Sequence, residues 1–180
     1  MADPQPHRPV LRILAAFSRH SVALEWARQT AKGVWGAVAL ESEPFDHRET
    51  NYYEATMGTD LRKTFFAFES LMDPVGLVAW KEITNKWEGE YQQLGGHPEA
   101  RPLNLDPGYL TEAKLILAST KDRDHRIYLD RGIYAENTLY FHHGAWRPRP
   151  WTYPDYLRAD YHQFFGRCRD YLRRKYAEGC

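Results

Sequence analysis

The chain has 180 residues, a length that suits one domain with a sizeable core, and 43% of them are hydrophobic and 14% aromatic. Lys plus Arg number 24 and Asp plus Glu number 24, so zero formal charge removes the global basic excess that argues for nucleic acid or an anionic membrane. Cys168 and Cys180 form neither a disulfide framework nor a zinc spacing, and no apolar run is long enough to cross a bilayer, so the expected compartment is the cytoplasm.

Residues 1–9 contain three prolines and no apolar core segment, and are expected to be a disordered lead-in without a secretory leader. Val10 to Phe17 reads as a buried strand. A helix over 20–32 follows, with Ser18 or Ser21 as its cap and Gly33 as its end. Val34 to Glu43 reads as a second strand. The polar stretch Phe45 to Arg62 holds Tyr52, Tyr53, Glu54, Met57 and Gly58. It is long for a plain loop, and is expected to contain a helical turn or to line a site. Thr64 to Glu69 is a third strand.

Asp73-Pro74 opens a helix over 74–94, and Leu77, Trp80, Thr84, Trp87, Tyr91 and Leu94 recur at helical spacing as its core face. Gly95-Gly96 ends it, and Arg101 to Asp106 is a fourth strand. The order βαββαβ predicts an α+β fold with a ferredoxin-like split βαβ core, an antiparallel sheet carrying both helices on one face. Thr111 to Ser119 is expected to be a helix. A hairpin and a last helix complete a single domain over 10–180. The last helix is capped by Asp155 and buries Tyr161, Phe164, Phe165, Cys168, Tyr171 and Leu172.

The hairpin pairs His125–Leu129 with Ile133–Phe141 around Asp130-Arg131-Gly132, read as a three-residue loop ending in a left-handed glycine. If Leu129 faces Ile133, alternation puts Ile127, Leu129, Ile133, Ala135 and Leu139 on one side. Arg126, Tyr128, Tyr134, Glu136 and Thr138 take the other. That polar face is either a solvated surface or the wall of a cleft, in which an arginine held by Glu136 grips a carboxylate or phosphate.

Several polar residues gather around the hairpin. Asn104 and Asp106 end a strand beside Pro107-Gly108, which reads as a turn; Asp106 suits a base or a metal ligand. Ser119-Thr120-Lys121 is either a solvated turn or a phosphate-contacting loop. His125 is a packed residue or an acid–base group. Trp151 to Tyr156 is held extended by Pro150 and Pro154, and suits core packing, a cleft rim or a partner groove. His143-Gly144 reads as a turn. No P-loop, G-x-S-x-G, H-E-x-x-H, C-x-x-C or G-x-G-x-x-G occurs, so the standard nucleophile, zinc and dinucleotide readings have no support and no cofactor is identified.

The segments NLDPGYLTEAKLILASTKD (Asn104–Asp122), HRIYL (His125–Leu129), GIYAENTL (Gly132–Leu139) and PWTYPDY (Pro150–Tyr156) resemble a bacterial family of unknown function, DUF4416. The resemblance covers nearly the whole chain after residue 9, with a weaker echo in Tyr52-Tyr53-Glu54 and Met57-Gly58. Some members carry a GTP-binding label, which implies a nucleotide ligand.

The leading expectation is a site for a small anionic molecule, a phosphate ester or nucleotide. Asp106, Glu136 and His125 are its candidate catalytic groups, and Lys114, Lys121, Arg126, Tyr128, Asn104, Trp151 and Tyr153 its candidate binding groups. The alternative is a protein- or RNA-interaction module built on 151–156 and the basic last helix.

Overall fold

In the computed structural model, which describes residues 3–50 and 52–179, nine strands of the described chain join one sheet. They are β1 (Val10–Ser18), β2 (Val38–Glu41), β3 (Phe45–Asp46), β4 (Arg62–Met72), β5 (Asn104–Leu110), β6 (Lys114–Ser119), β7 (Ile127–Asp130), β8 (Ile133–His142) and β9 (Ala145–Pro148). The order is β2-β4-β1-β5-β6-β8-β7, with β3 beside β4 and β9 beside β8, and every pairing is antiparallel. The helices are α1 (Ser21–Trp35), α2 (Glu54–Met57), α3 (Leu77–Leu94) and α4 (Ala159–Ala177). The expectations that fell on Met1, Ala2 and Cys180 lie outside the described residues.

β1 is buried along its whole length because both of its faces are covered. Val10, Leu14 and Ala16 meet α1 and α3 through Ala27, Trp35, Trp80 and Trp87. Leu11, Ile13 and Ala15 meet the other layer, where α4 brings Tyr161, Phe164, Phe165, Cys168 and Leu172. The fold is α+β with a mainly antiparallel sheet between helical layers. No described helix is long and apolar enough to cross a membrane.

Several boundaries differ from the expectation. α1 runs past Gly33 to Trp35 and ends at Gly36, whose φ is +91°. Trp35 packs on Phe68 and Trp87 with ring centroids 5.2 and 4.9 Å apart, and this burial outweighs the roughly 1 kcal/mol cost of a helical glycine. The second strand is therefore only Val38–Glu41. Neither serine caps α1: Ser18 accepts from His20 N and donates to Pro102 O. Asp73 does accept from Val75 N, but over a 3₁₀ turn, and Leu94 at the end of α3 is 67% exposed.

Thr111–Ser119 holds strand β6 where a helix was expected. Leu115 and Leu117 face the α4 layer while Ile116 and Ala118 face α1 and α3. A strand buried on both faces shows no polar alternation, so its pattern matches that of a buried helix. Pro107-Gly108 is not a turn either, since β5 continues to Leu110. A Cβ at Gly108 would stand 2.2 Å from the Ile116 carbonyl oxygen, so this glycine serves a close approach of two strands.

The hairpin pairs Ile127 with Ala135 and Tyr128 with Tyr134, as the alternation implies. Its loop has two residues instead of three: Arg131 and Gly132 have φ of 48° and 74°, and Asp130 pairs with Ile133. Ile127 and Leu129 are exposed on the sheet edge. Leu139 crosses to the α4 layer, because the β6–β8 register shifts between Leu115 and Ile116. Asp155 does not cap α4; its side chain is buried against Lys63.

Candidate functional site

β5 pairs with β1 from Asn104 to Leu110, but with β6 only from Gly108 onward. The two strands therefore part between residues 104–107 and 118–119. Pro107, which has no N–H to offer, stands at the mouth of the split. Above this opening lies a cavity of about 500 Å³, within the size range of small-molecule sites. Lys63, Asn104, Asp106, Leu117 and Glu136 come from the sheet. The segment before α2 supplies His47, Glu49, Tyr52 and Tyr53, and the segment before α4 supplies Trp151, Tyr153, Asp155 and Tyr156. Lys121 and Arg123 lie in the β6–β7 loop.

The lining holds six Lys and Arg side chains against four carboxylates, and each carboxylate is already paired. Lys81 reaches out of α3, its Nζ 2.9 Å from Leu105 O and 3.2 Å from Asp106 Oδ1. Asn104 Nδ2 donates to the other Asp106 oxygen at 2.8 Å. Burial pushes the Asp106 carboxyl up, but Lys81, Lys63 and Arg101 together bring it below its ordinary value, so it is ionised at neutral pH. Arg101 is itself held by Glu88 and by Asn104 Oδ1.

Lys63 Nζ is 2.5 Å from Asp155 Oδ2, with both side chains buried. His47 stands 3.6 Å from the same oxygen and 3.7 Å from Glu49 Oε2. Its side chain is 2% exposed, and neither ring nitrogen has a hydrogen-bond partner. Burial, and then the charge of Lys63, lower its pKa from 6.5, so the imidazole is neutral at pH 7. Glu49 pairs with Arg158 at 2.9 Å.

Arg126 organises the opposite wall. Nε and Nη2 reach Glu136 Oε2 at 2.9 and 2.8 Å; Nη1 donates to Ser119 Oγ and Lys121 O, and Nη2 also to Tyr153 at 2.5 Å. Four guanidinium hydrogen bonds thus tie Arg126 to Glu136, Ser119, Lys121 and Tyr153. Arg126 fixes the wall while lining the cavity. His125 Nε2 lies 3.3 Å from Glu136, and its ring stacks on Trp151 at 5.2 Å.

Of the residues singled out from the sequence, Asn104, Asp106, Lys121, His125, Arg126, Glu136, Trp151 and Tyr153 border this one cavity. Lys114 and Tyr128 do not. Lys114 opens β6 at its far end, opposite Tyr140. Tyr128 lies exposed on the edge strand against Tyr134.

The reading of the sequence missed His47, Glu49, Lys63, Lys81, Arg101 and Asp155. Lys81 had a visible sign, because it falls inside the buried stripe between Leu77 and Thr84, where a charged residue needs a partner. Lys63 likewise precedes an apolar strand on its inward side. His47 had only the length of its connection to mark it.

A free cation remains at the mouth. Lys121 Nζ donates to Tyr52 Oη at 2.7 Å, and neither Lys121 nor Arg123 meets a carboxylate among the described residues.

A family model described as Domain of unknown function (DUF4416) matches residues 8–171. No curated protein and no solved structure matches the chain.

Proposed function

The chain belongs to the DUF4416 family, and from that premise we propose that the cavity binds a small anionic molecule, a phosphate ester or nucleotide. The observation that carries this reading is the unmatched polarity of the lining. His47 is buried with two unpartnered nitrogens, and Lys121 and Arg123 stand at the mouth without a carboxylate. A buried polar group without a partner costs about 1–3 kcal/mol, a cost that a bound acceptor or donor removes. Tyr52, Tyr53 and Trp151 add flat surfaces suited to a base or sugar.

In this reading the anion sits between Lys121, Arg123 and the Ser119-Thr120 hydroxyls. The proton-handling groups are His47 and the His125–Glu136 pair, while Asp106 stays ionised as the anchor of Lys81. The label of GTP binding fits the charge of the site but not a P-loop geometry. The strand order β2-β4-β1-β5, with α1 and α3 on one face, supports a ferredoxin-like unit to which β6–β9 and α4 are added. Buried, unpaired Cys168 and the balanced charge support the cytoplasm.

The alternative, a protein- or RNA-docking module, loses surface to the cavity. Trp151, Tyr153, Asp155 and Tyr156 are cavity walls, and Arg169 and Arg173 on α4 are engaged by Glu112.

A thermal-shift screen with GTP, ATP, AMP, pyrophosphate and sugar phosphates tests the proposal. A ligand present at 100 times its Kd stabilises by about 2.7 kcal/mol, a clear rise in Tm. The double variant Lys121→Ala/Arg123→Ala should keep its fold and lose at least tenfold in affinity. No shift with any of these anions, or unchanged affinity in the folded variant, would turn preference to the docking module.

A further inference from the structure

Outside the cavity, three metal-ligating side chains from two separate segments converge. His20 precedes α1, and His97 and Glu99 lie in the connection from α3 to β5. One donor atom from each lies within 4.8 Å of the other two. His20 Nε2 is 2.9 Å from Glu99 Oε2, and the two imidazole rings face each other at 4.0 Å with a 31° tilt. The spacing of the three in the sequence carries no motif, and only the fold brings them together.

The surroundings hold each donor in place. Tyr91 Oη meets His97 Nε2 at 2.8 Å, which leaves Nδ1 of that ring free. Arg19 Nη1 takes Glu99 Oε1 at 3.1 Å, which leaves Oε2 facing His20. Metal sites commonly show ligands whose second polar atom is engaged by a neighbour, as those of His97 and Glu99 are here. The connection is also fixed at its far end, where Arg101 N donates to Thr56 O at 2.9 Å.

We propose that His20, His97 and Glu99 form a binding site for a divalent transition metal, zinc being the best match to two imidazoles and one carboxylate. Three points within 4.8 Å of one another lie no more than about 2.8 Å from a common centre, so shifts under about 1 Å bring all three to the roughly 2.1 Å of zinc–ligand bonds. Water completes the tetrahedron on the open side. Magnesium and calcium, which prefer oxygen donors, are poor matches. Ligation requires an unprotonated nitrogen on each imidazole, so His20 gives up its hydrogen bond to Glu99 and acid releases the ion. The ion would tie the start of α1 to the loop that delivers Arg101 to the cavity.

Titration calorimetry of the full chain with zinc chloride tests this, with magnesium chloride as control. One equivalent of zinc should bind, and cobalt(II) in its place should show the visible absorption of a tetrahedral site. His97→Ala and Glu99→Gln should each abolish that binding or weaken it at least tenfold, and Tyr91→Phe, which removes only the group holding His97, should weaken it by about tenfold. The exposed pair His142 and His143, whose rings are 3.9 Å apart, is the rival for adventitious zinc. The His142→Ala/His143→Ala variant should bind as the parent does. No zinc binding by the parent, or binding that survives folded His97→Ala and Glu99→Gln variants, overturns the proposal.

Discussion

Two residues apart on β4, Phe65 and Lys63 face the same side of the sheet and meet opposite surroundings. Phe65 lies under α4, with Tyr161 and Phe165 rings at 4.7 and 5.0 Å, while Lys63 stands in the cavity against Asp155. β5 and β8 repeat the contrast, with Leu110 and Leu139 under α4 and Asp106 and Glu136 in the cavity. What differs is the cover. α4 seals one end of the face with apolar rings, each contributing about 1.5–3 kcal/mol on burial. The other end is covered by chain segments that leave a hollow filled with ion pairs. Buried pairs of this kind add little net stability compared with apolar residues of the same shape. The α4 end therefore holds the fold, and the charges at the other end add little to it.

The comparison makes predictions that can be ranked. Phe65→Ala should cost about 3–5 kcal/mol, read from urea unfolding, because the ring meets five aromatic neighbours and leaves a cavity. Lys63→Met should cost about 3 kcal/mol by leaving Asp155 buried without its cation, and Lys63→Met/Asp155→Leu should recover most of that loss. A single variant no worse than a surface change, within about 0.5 kcal/mol, would mean the two ends do not differ as described.

The smallest effect is one of pH. The pKa of His47 in the fold lies below 6.5, so the neutral ring is the stable native form. The stability that depends on it is complete above 6.5 and declines as pH falls below 6.5 toward the folded value. Unfolding midpoints measured across that range should show the decline in the parent. They should show less of it in His47→Phe.

Local pattern carried the parts of this fold that are locally determined. The stripe Leu77, Trp80, Thr84, Trp87 and Tyr91 is legible because one face of α3 alone is buried. The pairing of Tyr128 with Tyr134 follows from a short loop, and alternation then puts Arg126 and Glu136 within reach of each other. β6 was illegible because both of its faces are buried. The rest of the cavity was illegible for another reason. Lys63, Lys81 and Asp155 meet Asp106 or each other only through strand order and the path of α3, and neither is written in any one segment. Asp155 shows the ambiguity, since an aspartate before a helix serves equally as a cap or as the partner of a distant lysine.

The split between β5 and β6 has a mechanical consequence. Three residue pairs, Gly108–Leu110 with Leu115–Leu117, are the whole β-ladder between the half-sheet β2-β4-β1-β5 and the half-sheet β6-β8-β7. The helical layers cross that short seam on both faces, and the cavity sits at its open end. Gly108 lets the seam close fully, and Lys81 fastens α3 to the β5 side beside it. An anion held at once by Lys81 beside β5 and by the Lys121 loop would act as a brace across both half-sheets. Its arrival would be felt well beyond its own contacts, as slower amide exchange along β6 and β8.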